Sequence, residues 1–554
     1  MPVRIAEPAS NAYAYPLLIK QLLHTPRTNS ANQEIVYRDR GRYTYRMLDE
    51  RISRLASGLA GLGVEQGSTV AVMDWDSHRY LECFFAIPMM GAVLQTVNVR
   101  LSPAQVCYTL KHAGAQVVLV HRDFLPLLAG MRDQLPALRK VVLIEDGPAM
   151  GGDATGGEVP GWIDTEYEKL LAGSSATFNF EDFDENAVAT TFYTTGTTGD
   201  PKGVCFTHRQ LVLHTLALIG VHGSSPYGQG LRHGDVYMPM TPMFHVHAWG
   251  NPYVATLLGV KQVYPGRYVP EELLALKERE GVTYSHCVPT ILRMLLNTAA
   301  ASDLNLHGWK MCIGGSALPA GLAREALERG VDVYAGYGMS ETCPVLATTR
   351  LRSPPGTVPV DVEIEQRCRT GMPIPMVEIK LLDAEGNAVP HDDQSVGEIV
   401  VRAPWLTSCY VGNPQASEEL WRGGYLHTQD VAKMDASGSM LITDRVKDVI
   451  KTGGEWLSSL ELEDLISRLQ GVAEVAVIGV RDAQWGERPH ALVVPRPESR
   501  ATLTPEQVRD HVAAAAATGA IPRYAIPERV TLVEALERTS VGKINKKLLR
   551  ERYA

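Results

Sequence analysis

The densest group of residues that could do chemistry is the segment TFYTTGTTGDPKG at 191–203. Threonine hydroxyls, backbone N–H groups that glycine leaves accessible and one lysine ammonium would together bind a polyanion such as a chain of phosphates. The segment follows an apolar run typical of a strand, so we expect a loop at a strand end. It is not the P-loop of nucleoside triphosphatases, because a Gly-Lys-Ser/Thr triplet follows neither of the first two glycines at the required spacing. A plain turn is the alternative, and so dense a run favours phosphate binding by Thr194, Thr195, Gly196, Thr197, Thr198, Gly199 and Lys202.

Other segments also combine glycines with polar or charged residues. Taken singly, each has an ordinary explanation, such as a turn at a strand end, a solvated carboxylate, a charged linker or a basic surface helix. Their order along the chain is more informative than any one of them. The segments are IGGSALP (313–319), YAGYGMSET (334–342), GYLHTQDVAKMD (424–435), DRVKDVIKTGGEWLSS (444–459) and RTSVGKINKKLLR (538–550).

In this order the segments resemble the motifs of the adenylate-forming superfamily, which contains acyl- and aryl-CoA ligases, luciferases and the adenylation domains of peptide synthetases. The loop is similar to the family pattern Ser/Thr-Ser-Gly-Thr-Thr-Gly-x-Pro-Lys-Gly, with Thr195 in place of the usual serine. The segment at 424–435 is similar to Gly-Trp-x-x-Thr-Gly-Asp-x-Ala, with Gln429 in place of a glycine. Cys409 stands where the family commonly has glycine in Ser-Gly-Tyr. The resemblance extends from about residue 35 to 550 and implies ATP, Mg²⁺ and coenzyme A.

The resemblance implies a nucleotide site in the large part of the chain. Tyr337 would stack on the adenine, with Gly336 and Gly338 allowing the backbone to approach, and Asp430 would accept hydrogen bonds from the ribose hydroxyls. Glu341 and Thr194 would hold Mg²⁺. The further residues implied at the nucleotide are Gly315, Ser316, Ala317 and Ser340.

The resemblance also implies two catalytic functions of a mobile C-terminal part. Lys543 would bridge the attacking carboxylate and the α-phosphate, and Arg445 would reach the ribose or phosphate. Lys447 would be the pivot about which the small domain turns. After that turn, a second set of residues would contact the pantetheine of coenzyme A. This set is Gly453, Gly454, Glu455 and Trp456, and Lys451 is a further residue implied in cofactor binding.

The acid site is predicted around PMTPMFHVHAWGNPY at 239–253. By resemblance, His245 would contact the carboxylate side of the pocket and Trp249 would gate an acyl tunnel, whereas His247 would face elsewhere. The strings FHVHAWG and GGEW are most similar to bacterial medium- to long-chain fatty-acyl-CoA synthetases. They also resemble ligases for short thioether acids such as methylmercaptopropionate, and an aromatic acid is disfavoured. The remaining pocket residues are predicted to be Gly250, Tyr253, Val288, Gly314 and Gly336.

The elements that position these residues follow from apolar periodicity. Leu48, Ile52, Leu55, Leu59 and Leu62 share one face of a predicted helix over 47–64. Short apolar runs predict buried strands, and they alternate with further helices. This pattern predicts an α/β fold with largely buried, partly parallel sheets. The predicted strands are 68–74, 115–121, 141–146 and 282–288, with a helix at about 79–91.

The pattern of predicted helices and strands changes along the chain, and this change predicts two domains. Residues 1–446 would form a large N-terminal domain of stacked α/β sheets with a β-rich part at about 370–446, and 447–554 a small, mobile α+β domain. In the small domain, Ser458 with Glu461 fits a capping box that opens a helix from Ser459 to Leu469. Strands at 472–480 and 491–497 and a helix at 504–517 would follow.

Composition excludes several other classes of protein. The chain has 554 residues and a net charge of 53 − 62 = −9 without a basic stripe, which argues against nucleic-acid binding. Its eight cysteines are scattered without CxxC spacing, so a zinc site is not expected. The longest apolar run, Cys83 to Leu94, is shorter than the ~20 residues of a membrane-spanning helix. We therefore expect a cytoplasmic protein without a transmembrane segment, and the N-terminal segment could support a homodimer contact.

Four other functions remain open beside an acid–CoA ligase. A luciferase-like oxygenase would share every motif up to the adenylate. A peptide-synthetase module would need an aspartate for the substrate amine where Trp249 stands, and an appended carrier domain, which is not evident. A non-catalytic binding protein would be expected to lack Lys543 or Glu341, and both are present. The enzyme could also stop at the acyl-adenylate.

Overall fold

The structure is a computed structural model that describes residues 3–146, 159–194, 200–302, 304–452, 455–519, 521–538 and 544–553. Two large mixed sheets, a four-stranded antiparallel sheet and a further C-terminal sheet form its framework. The predicted α/β class is therefore confirmed. The helices are α1 (His24–Asn29), α2 (Tyr45–Gly61), α3 (His78–Met89), α4 (Pro103–His112), α5 (Leu125–Ala129), α6 (Tyr167–Ala172), α7 (His208–Ser224), α8 (Val246–Trp249), α9 (Asn251–Leu258), α10 (Pro270–Glu280), α11 (Pro289–Ser302), α12 (Ala320–Glu328), α13 (Val360–Cys368), α14 (Pro414–Leu420), α15 (Ser459–Ser467), α16 (Pro505–Ala517) and α17 (Lys546–Tyr553).

The first large sheet has nine strands in the order β16-β15-β14-β13-β12-β10-β11-β1-β2. Its central strands are parallel, as the buried apolar runs predicted, and the outermost pairs are antiparallel. The carboxyl ends of its parallel strands therefore meet at one edge. The strands are β1 (Glu34–Tyr37), β2 (Gly41–Thr44), β10 (Val236–Pro239), β11 (Lys261–Tyr264), β12 (Tyr284–Cys287), β13 (Trp309–Ile313), β14 (Val331–Gly338), β15 (Val345–Thr348) and β16 (Met372–Pro373).

The second large sheet has seven strands in the order β7-β6-β5-β3-β4-β8-β9, and only its last pair is antiparallel. One continuous apolar core contains side chains from both large sheets and from α2, α3, α7 and α9, so these helices pack between the sheets. Burial on both faces explains why the strands read as continuous apolar runs. The strands are β3 (Thr69–Met73), β4 (Val93–Thr96), β5 (Val117–His121), β6 (Lys140–Ile144), β7 (Thr165–Glu166), β8 (Val188–Thr194) and β9 (Lys202–Thr207).

The smaller sheets follow in chain order. The four-stranded sheet consists of β17 (Glu378–Leu382), β18 (Val396–Arg402), β19 (Leu426–Met434) and β20 (Met440–Arg445). In the C-terminal sheet the order is β22-β21-β24-β23, and β25 pairs with β24. Where one domain ends and the next begins remains a prediction. The strands of this last sheet are β21 (Ile450–Thr452), β22 (Glu455–Leu457), β23 (Val472–Asp482), β24 (Gly486–Pro495) and β25 (Arg529–Leu532).

Helix starts follow the capping chemistry of the sequence, with one difference. Thr207 caps α7 through a complete capping box with Gln210. At α15 the Ser458 hydroxyl accepts from the Glu461 N–H, but the return bond from the Glu461 side chain is not formed. The same hydroxyl donates to the Thr443 carbonyl instead, so it ties α15 to β20. The predicted capping box is therefore half formed.

The described residues also bear on two expected absences. All eight cysteines are free thiols. None of the helices in the described ranges is long and apolar enough to cross a bilayer.

Candidate active site

The base of the candidate phosphate loop is the hairpin of β8 and β9. Thr194 at the end of β8 lies opposite Lys202 at the start of β9 in the antiparallel register. Thr195 to Gly199 lie outside the described residues, so their roles stay predictions. The register brings the first hydroxyl and the lysine of the predicted set to the same end of one hairpin.

Tyr410 joins this lysine to the predicted metal ligand. The Lys202 ammonium lies 4.6 Å from the centre of the Tyr410 ring, and the Tyr410 hydroxyl donates a 2.7 Å hydrogen bond to Oε1 of Glu341. The tyrosine is held there because its segment pairs with β9: Val411 N–H donates to the Gly203 carbonyl at 2.8 Å. In the sequence, Tyr410 is only the last residue of a Ser-Cys-Tyr triplet that stands for the family's Ser-Gly-Tyr, and nothing local indicates its contact with Glu341.

The Glu341 carboxylate suits a site for Mg²⁺. It is only 6% exposed, and burial raises its pKa, whereas the Tyr410 hydroxyl and the charges of Arg445 and Lys202 lower it. A divalent cation beside the carboxylate would offset the cost of burying its charge. In the described ranges, no group of three or more His, Cys, Asp or Glu side chains could hold a metal. One buried carboxylate fits Mg²⁺, which takes phosphate oxygens and waters as its remaining ligands.

Tyr337, Asp430 and Arg445 form one connected group beside Glu341. The Tyr337 hydroxyl donates to Oδ2 of Asp430 at 2.9 Å, and Nε of Arg445 lies 3.1 Å from Oδ1. Adjacent strands create this arrangement, since Asp430 of β19 lies opposite Arg445 of β20. The Asp430 charge raises the pKa of Arg445, and burial and Asp430 raise the pKa of Tyr337. Three predicted nucleotide residues are thus in contact.

Gln429 shows why the family pattern has glycine before the aspartate. Its φ is 62°, in the left-handed region where a residue with a side chain is strained. The Gln429 backbone N–H and its side-chain amide both donate to Oε1 of Glu398 at 3.2 Å. These bonds hold the strained residue, and they leave Asp430 in its place in the site.

The glycines of the segment at 334–342 are required by close packing. A Cβ at Gly338 would lie 1.8 Å from the Pro344 carbonyl oxygen, and one at Gly336 would lie 2.7 Å from Sγ of Cys312. Both distances are too short for any side chain. Ser340 is buried beside them, whereas Gly315, Ser316 and Ala317 lie on an exposed face at the end of β13.

The segment that carries Trp249 has a strained backbone. In α8, Val246, His247, Ala248 and Trp249 have φ of 48°, 54°, 47° and 58°, and Gly250 follows with φ 75°. A left-handed conformation costs roughly 1–2 kcal/mol for each residue with a Cβ. Strain of this kind persists where surrounding structure holds it, and it is concentrated at functional sites.

A buried carboxylate anchors the start of the same segment. Asp76 accepts a 2.8 Å hydrogen bond from the Met243 N–H and a further hydrogen bond from the Tyr268 hydroxyl. Burial raises the pKa of Asp76 to about 7. No sequence motif indicates Asp76, because it lies 167 positions from Met243 along the chain.

Trp249, the residue predicted to gate the acid site, packs against Gly314, which in turn lies against Gly336. A Cβ at Gly314 would lie 2.9 Å from Cη2 of the indole and 3.0 Å from the Gly336 carbonyl oxygen. The indole also lies 5.1 Å from the His286 ring, centroid to centroid. Trp249, Gly314 and Gly336 therefore meet at the ends of β13 and β14.

The other predicted pocket residues differ from Trp249 in their exposure and in the residues they contact. His245 is exposed at the start of α8, and Val288 is half-buried beside Gly315. The Tyr253 hydroxyl donates to the Phe84 carbonyl at 3.1 Å, and its ring packs against Phe84 and Phe85 in the core. His247 also points into the core, as expected.

The hinge region is connected to the C-terminal helix. Arg550 of α17 donates to the Lys447 carbonyl at 3.1 Å and forms an ion pair with Asp448. Lys447 is exposed, and the Lys451 backbone N–H donates to Glu487 at 2.9 Å. Gly453, Gly454 and Lys543 lie outside the described residues, and Glu455 and Trp456 are described only as part of β22, so their roles stay predictions.

Comparison with known proteins is consistent with this geometry. The family model for an AMP-binding enzyme matches residues 23–411, and that for the AMP-binding enzyme C-terminal domain matches 461–543. A long-chain-fatty-acid–CoA ligase of Thermus thermophilus is 38% identical over 92% of this chain and 90% of its own length. A 3-methylmercaptopropionyl-CoA ligase of Ruegeria pomeroyi is 37% identical over 90% of each chain. A medium-chain-fatty-acid–CoA ligase of Ectopseudomonas oleovorans is 34% identical over 96% of this chain and 94% of its own.

A solved structure extends the similarity to a liganded relative. The anthranilate CoA ligase AuaEII in complex with anthranoyl-AMP superposes with a TM-score of 0.82 at 26% identity. The match covers 97% of this chain and 98% of that one.

Proposed function

The chain belongs to the AMP-binding enzyme family and is an acyl-CoA synthetase, and we propose that it activates an aliphatic carboxylic acid in two steps. In the first step the acid and ATP give an acyl-adenylate and pyrophosphate. In the second, coenzyme A displaces AMP to give the acyl-CoA. ATP and coenzyme A are the co-substrates and Mg²⁺ the metal cofactor.

The observation that supports this proposal is that a candidate phosphate-binding group and a candidate nucleoside-binding group are adjacent, since Tyr337 and Glu341 lie four residues apart at and just after the end of β14. Lys202, Tyr410 and Glu341 form the first, and Tyr337 and Asp430 belong to the second. The charge of Arg445 acts on the pKa of both Glu341 and Tyr337, so its guanidinium lies near both ends. An AMP unit with its phosphates matches this division.

For this reaction the protein mainly has to position the substrates and neutralise their negative charge. A carboxylate acylates poorly because its leaving group would be oxide, and ATP replaces that group with AMP. The acid oxygen attacks the α-phosphorus and pyrophosphate leaves, so negative charge must be oriented and neutralised throughout. Mg²⁺, when bound, supplies charge neutralisation at the phosphate oxygens. Lys202 and the hairpin loop would orient the β- and γ-phosphates, and Lys543 would hold the carboxylate against the α-phosphate.

The second step would need a different face of the C-terminal part. We propose that this part turns about Lys447, which withdraws Lys543 and presents Gly453 and Gly454 to the pantetheine. The exposed position of Lys447 between β20 and β21 supports a pivot there. Domain rotation of this kind assembles two sites in sequence.

The acid is proposed to be a medium-chain fatty acid, with a short thioether acid such as methylmercaptopropionate as the second candidate. Relatives named for long-chain, medium-chain and methylmercaptopropionyl substrates support both. Location in the cytoplasm and a homodimer are part of the proposal. For the dimer, the support is the exposed apolar N-terminal segment of Val3, Ile5, Tyr13 and Tyr15.

A pyrophosphate-release screen tests the proposed function. Straight-chain acids from acetate to octadecanoate, together with methylmercaptopropionate and benzoate, are supplied with ATP and Mg²⁺, with and without coenzyme A. Release with an aliphatic acid, and acyl-CoA formation when coenzyme A is present, are expected. Turnover of benzoate alone would contradict an aliphatic substrate. An oxygen-dependent product instead of a thioester would favour the luciferase-like function.

A further inference from the structure

A small cavity lies beside Trp249. Its volume is about 20 Å³, and its lining includes Trp249, Cys312 and Tyr334. Cys312 and Tyr334 lie opposite each other in β13 and β14, two residues before Gly314 and Gly336 respectively. Residues two apart in a strand face the same side, so the cavity continues the face of the sheet on which the indole rests. We call this cavity the distal chamber.

The distal chamber contains polar atoms that lack well-aligned hydrogen-bond partners. Nε2 of Gln229 is buried without one, and all three residues Gln229, His222 and Asn251 line the chamber. Nε2 of His222 and Oδ1 of Asn251 form no well-aligned hydrogen bond, although the two side chains lie close enough for Asn251 to raise the pKa of His222. Gln229, His222 and Asn251 are 1%, 7% and 4% exposed. Buried polar groups in proteins are nearly always hydrogen-bonded. Three poorly paired atoms around one small cavity therefore indicate that something polar binds among them.

The chamber is polar without being charged. Burial lowers the pKa of His222 to about 4, and the nearby charge of Lys310 lowers it further, so the imidazole is neutral at physiological pH. The Lys310 ammonium itself lies 2.6 Å from Asp235 and donates to the Gly230 carbonyl at 2.8 Å. A neutral substrate group that can both donate and accept a hydrogen bond would pair with these atoms better than a second carboxylate on the substrate would.

We propose that the distal chamber binds a terminal hydroxyl of the acid substrate, so that short ω-hydroxy aliphatic acids are preferred over alkyl acids of the same length. The carboxylate would lie at the ends of β13 and β14, with the chain passing Trp249 along the face of the sheet. The hydroxyl would take the place of one water, for which a cavity of this size has room. This inference rests on the proposed two-step activation of an aliphatic acid, and it names a short ω-hydroxy acid in place of the alkyl acid as the preferred substrate.

The energetic reason is the penalty for burying unpaired polar groups. A methyl terminus would fill the chamber but leave Nε2 of Gln229 unpaired and give His222 and Asn251 no better partner than each other, while Oε1 of Gln229 accepts from the Leu351 N–H in either case. A hydroxyl can accept from the Gln229 amide and donate to Asn251 or to the imidazole. Sites built to hydrogen-bond a substrate hydroxyl discriminate strongly against analogues that lack it. We expect a preference of about tenfold or more in kcat/KM.

The test compares acids that differ only in hydroxyl against methyl at the far end. The pairs are 4-hydroxybutanoate with pentanoate, 5-hydroxypentanoate with hexanoate, and 6-hydroxyhexanoate with heptanoate. Pyrophosphate release gives kcat/KM for each acid with the full-length enzyme. The ratio within a pair is the readout, because it does not depend on the fraction of enzyme that is active.

Two variants and one matched control assign the preference to the chamber. Gln229→Met and Asn251→Leu keep side-chain size while removing hydrogen-bonding groups, so each is expected to lower the hydroxyl-to-methyl ratio several-fold. Gln262→Met makes the same chemical change at a buried glutamine bonded to Tyr45 and Thr256, away from the chamber, and should leave the ratio unchanged.

The outcomes separate this inference from the proposed function. Preference for the methyl-ended acid in every pair would overturn the inference and leave an alkyl-acid synthetase standing. A hydroxyl preference that neither variant lowers would also overturn the assignment to the chamber. No pyrophosphate from any acid would overturn the proposed function and, with it, the inference.

Discussion

The Tyr410 hydroxyl donates a 2.7 Å hydrogen bond to the Glu341 carboxylate, although the two residues are 69 positions apart in the chain. The bond favours the ionised carboxylate at a place where burial disfavours it. Tyr410 is thus a positioning residue for the proposed Mg²⁺ ligand.

Tyr410→Phe should reduce adenylation and change its pH dependence. Loss of a hydrogen bond to a charged group is worth about 1.5–3 kcal/mol, so we expect a decrease of roughly tenfold to a hundredfold. The pKa of Glu341 should rise further, so activity should be lost at a higher pH as the solution is acidified. Acid-dependent ATP–pyrophosphate exchange across a pH series measures both effects. Tyr425→Phe, a matched change at a half-buried tyrosine bonded to Glu378, should alter neither. An unchanged acid limb in Tyr410→Phe would contradict the role of this bond.

Asp430→Asn should weaken ATP binding. The carboxylate contacts Tyr337 and Arg445, and the neutral amide would lose the ion pair and one acceptor. We expect the KM for ATP to rise by about tenfold or more, with a smaller effect on the KM for the acid. Asp435→Asn removes a comparable carboxylate at the end of the same strand, bonded to Arg352 and Ser437, and serves as control. Equal changes in the two KM values would argue against a ribose contact.

Lys543→Ala should separate the two half-reactions. Formation of acyl-adenylate from acid and ATP should be crippled, because the predicted bridge between carboxylate and α-phosphate is removed. Thioester formation from supplied acyl-adenylate and coenzyme A should be largely spared. Lys547→Ala, at a half-buried lysine four residues from Glu551 in α17, is the control. If both half-reactions fell equally, Lys543 would not be the adenylation lysine.

His247→Phe should reduce the loss of stability in acid. The imidazole is fully buried among Phe84, Phe192 and Tyr253, both ring nitrogens lack a partner, and burial lowers its pKa to about 3. With an unfolded pKa near ~6.5, only the unfolded state gains a proton as pH falls from about 6.5 towards 3, which destabilises the fold by about 2 kcal/mol at pH ~5. The free energy of unfolding, measured with urea at neutral pH and at pH ~5, should fall by about 2 kcal/mol less in His247→Phe than in the unsubstituted protein. The exposed His391→Phe is the control, and an equal fall in both variants would refute this assignment.

Cys205 and Cys409 should form a disulfide when the native protein is treated with diamide. Val204 pairs with Tyr410 in an antiparallel bridge, which places these two cysteines opposite each other, and antiparallel partners lie ~4.5–5.5 Å apart at Cα. Burial and the neighbouring Cys409 thiol raise the pKa of Cys205 to about 11, so oxidation should be slow and should accelerate with pH. Diamide accepts the two thiol hydrogens as the S–S bond forms. Peptide mass spectrometry should find this bond, while the buried Cys287 and Cys312 stay reduced. Cys205→Ser should abolish it, and cross-linking through other cysteines instead would contradict the pairing.

Local signals in the sequence were sufficient for the fold class and for the identity of several site residues. The apolar run at 115–121 became β5, and the amphipathic pattern at 47–64 became α2, because burial on one or both faces leaves a periodic record. Tyr337, Asp430 and Arg445 could be named because their motifs are contiguous. Gln429 could be flagged because its neighbours match a pattern that has glycine there, and its φ of 62° gives the reason.

Only the tertiary structure decided which of these residues touch. Tyr410 and Asp76 act on motifs 69 and 167 positions away, and no local pattern records a contact of that separation. Tyr253 is a predicted pocket residue whose hydroxyl donates to the Phe84 carbonyl, and the sequence gives no sign of that contact across 169 positions. The polarity of the distal chamber likewise comes from His222, Gln229 and Asn251, which are unremarkable in sequence. The sequence determined which groups are available for chemistry, and three-dimensional packing decided which of them share a site, because hydrogen bonds and burial depend on distance in space and not along the chain.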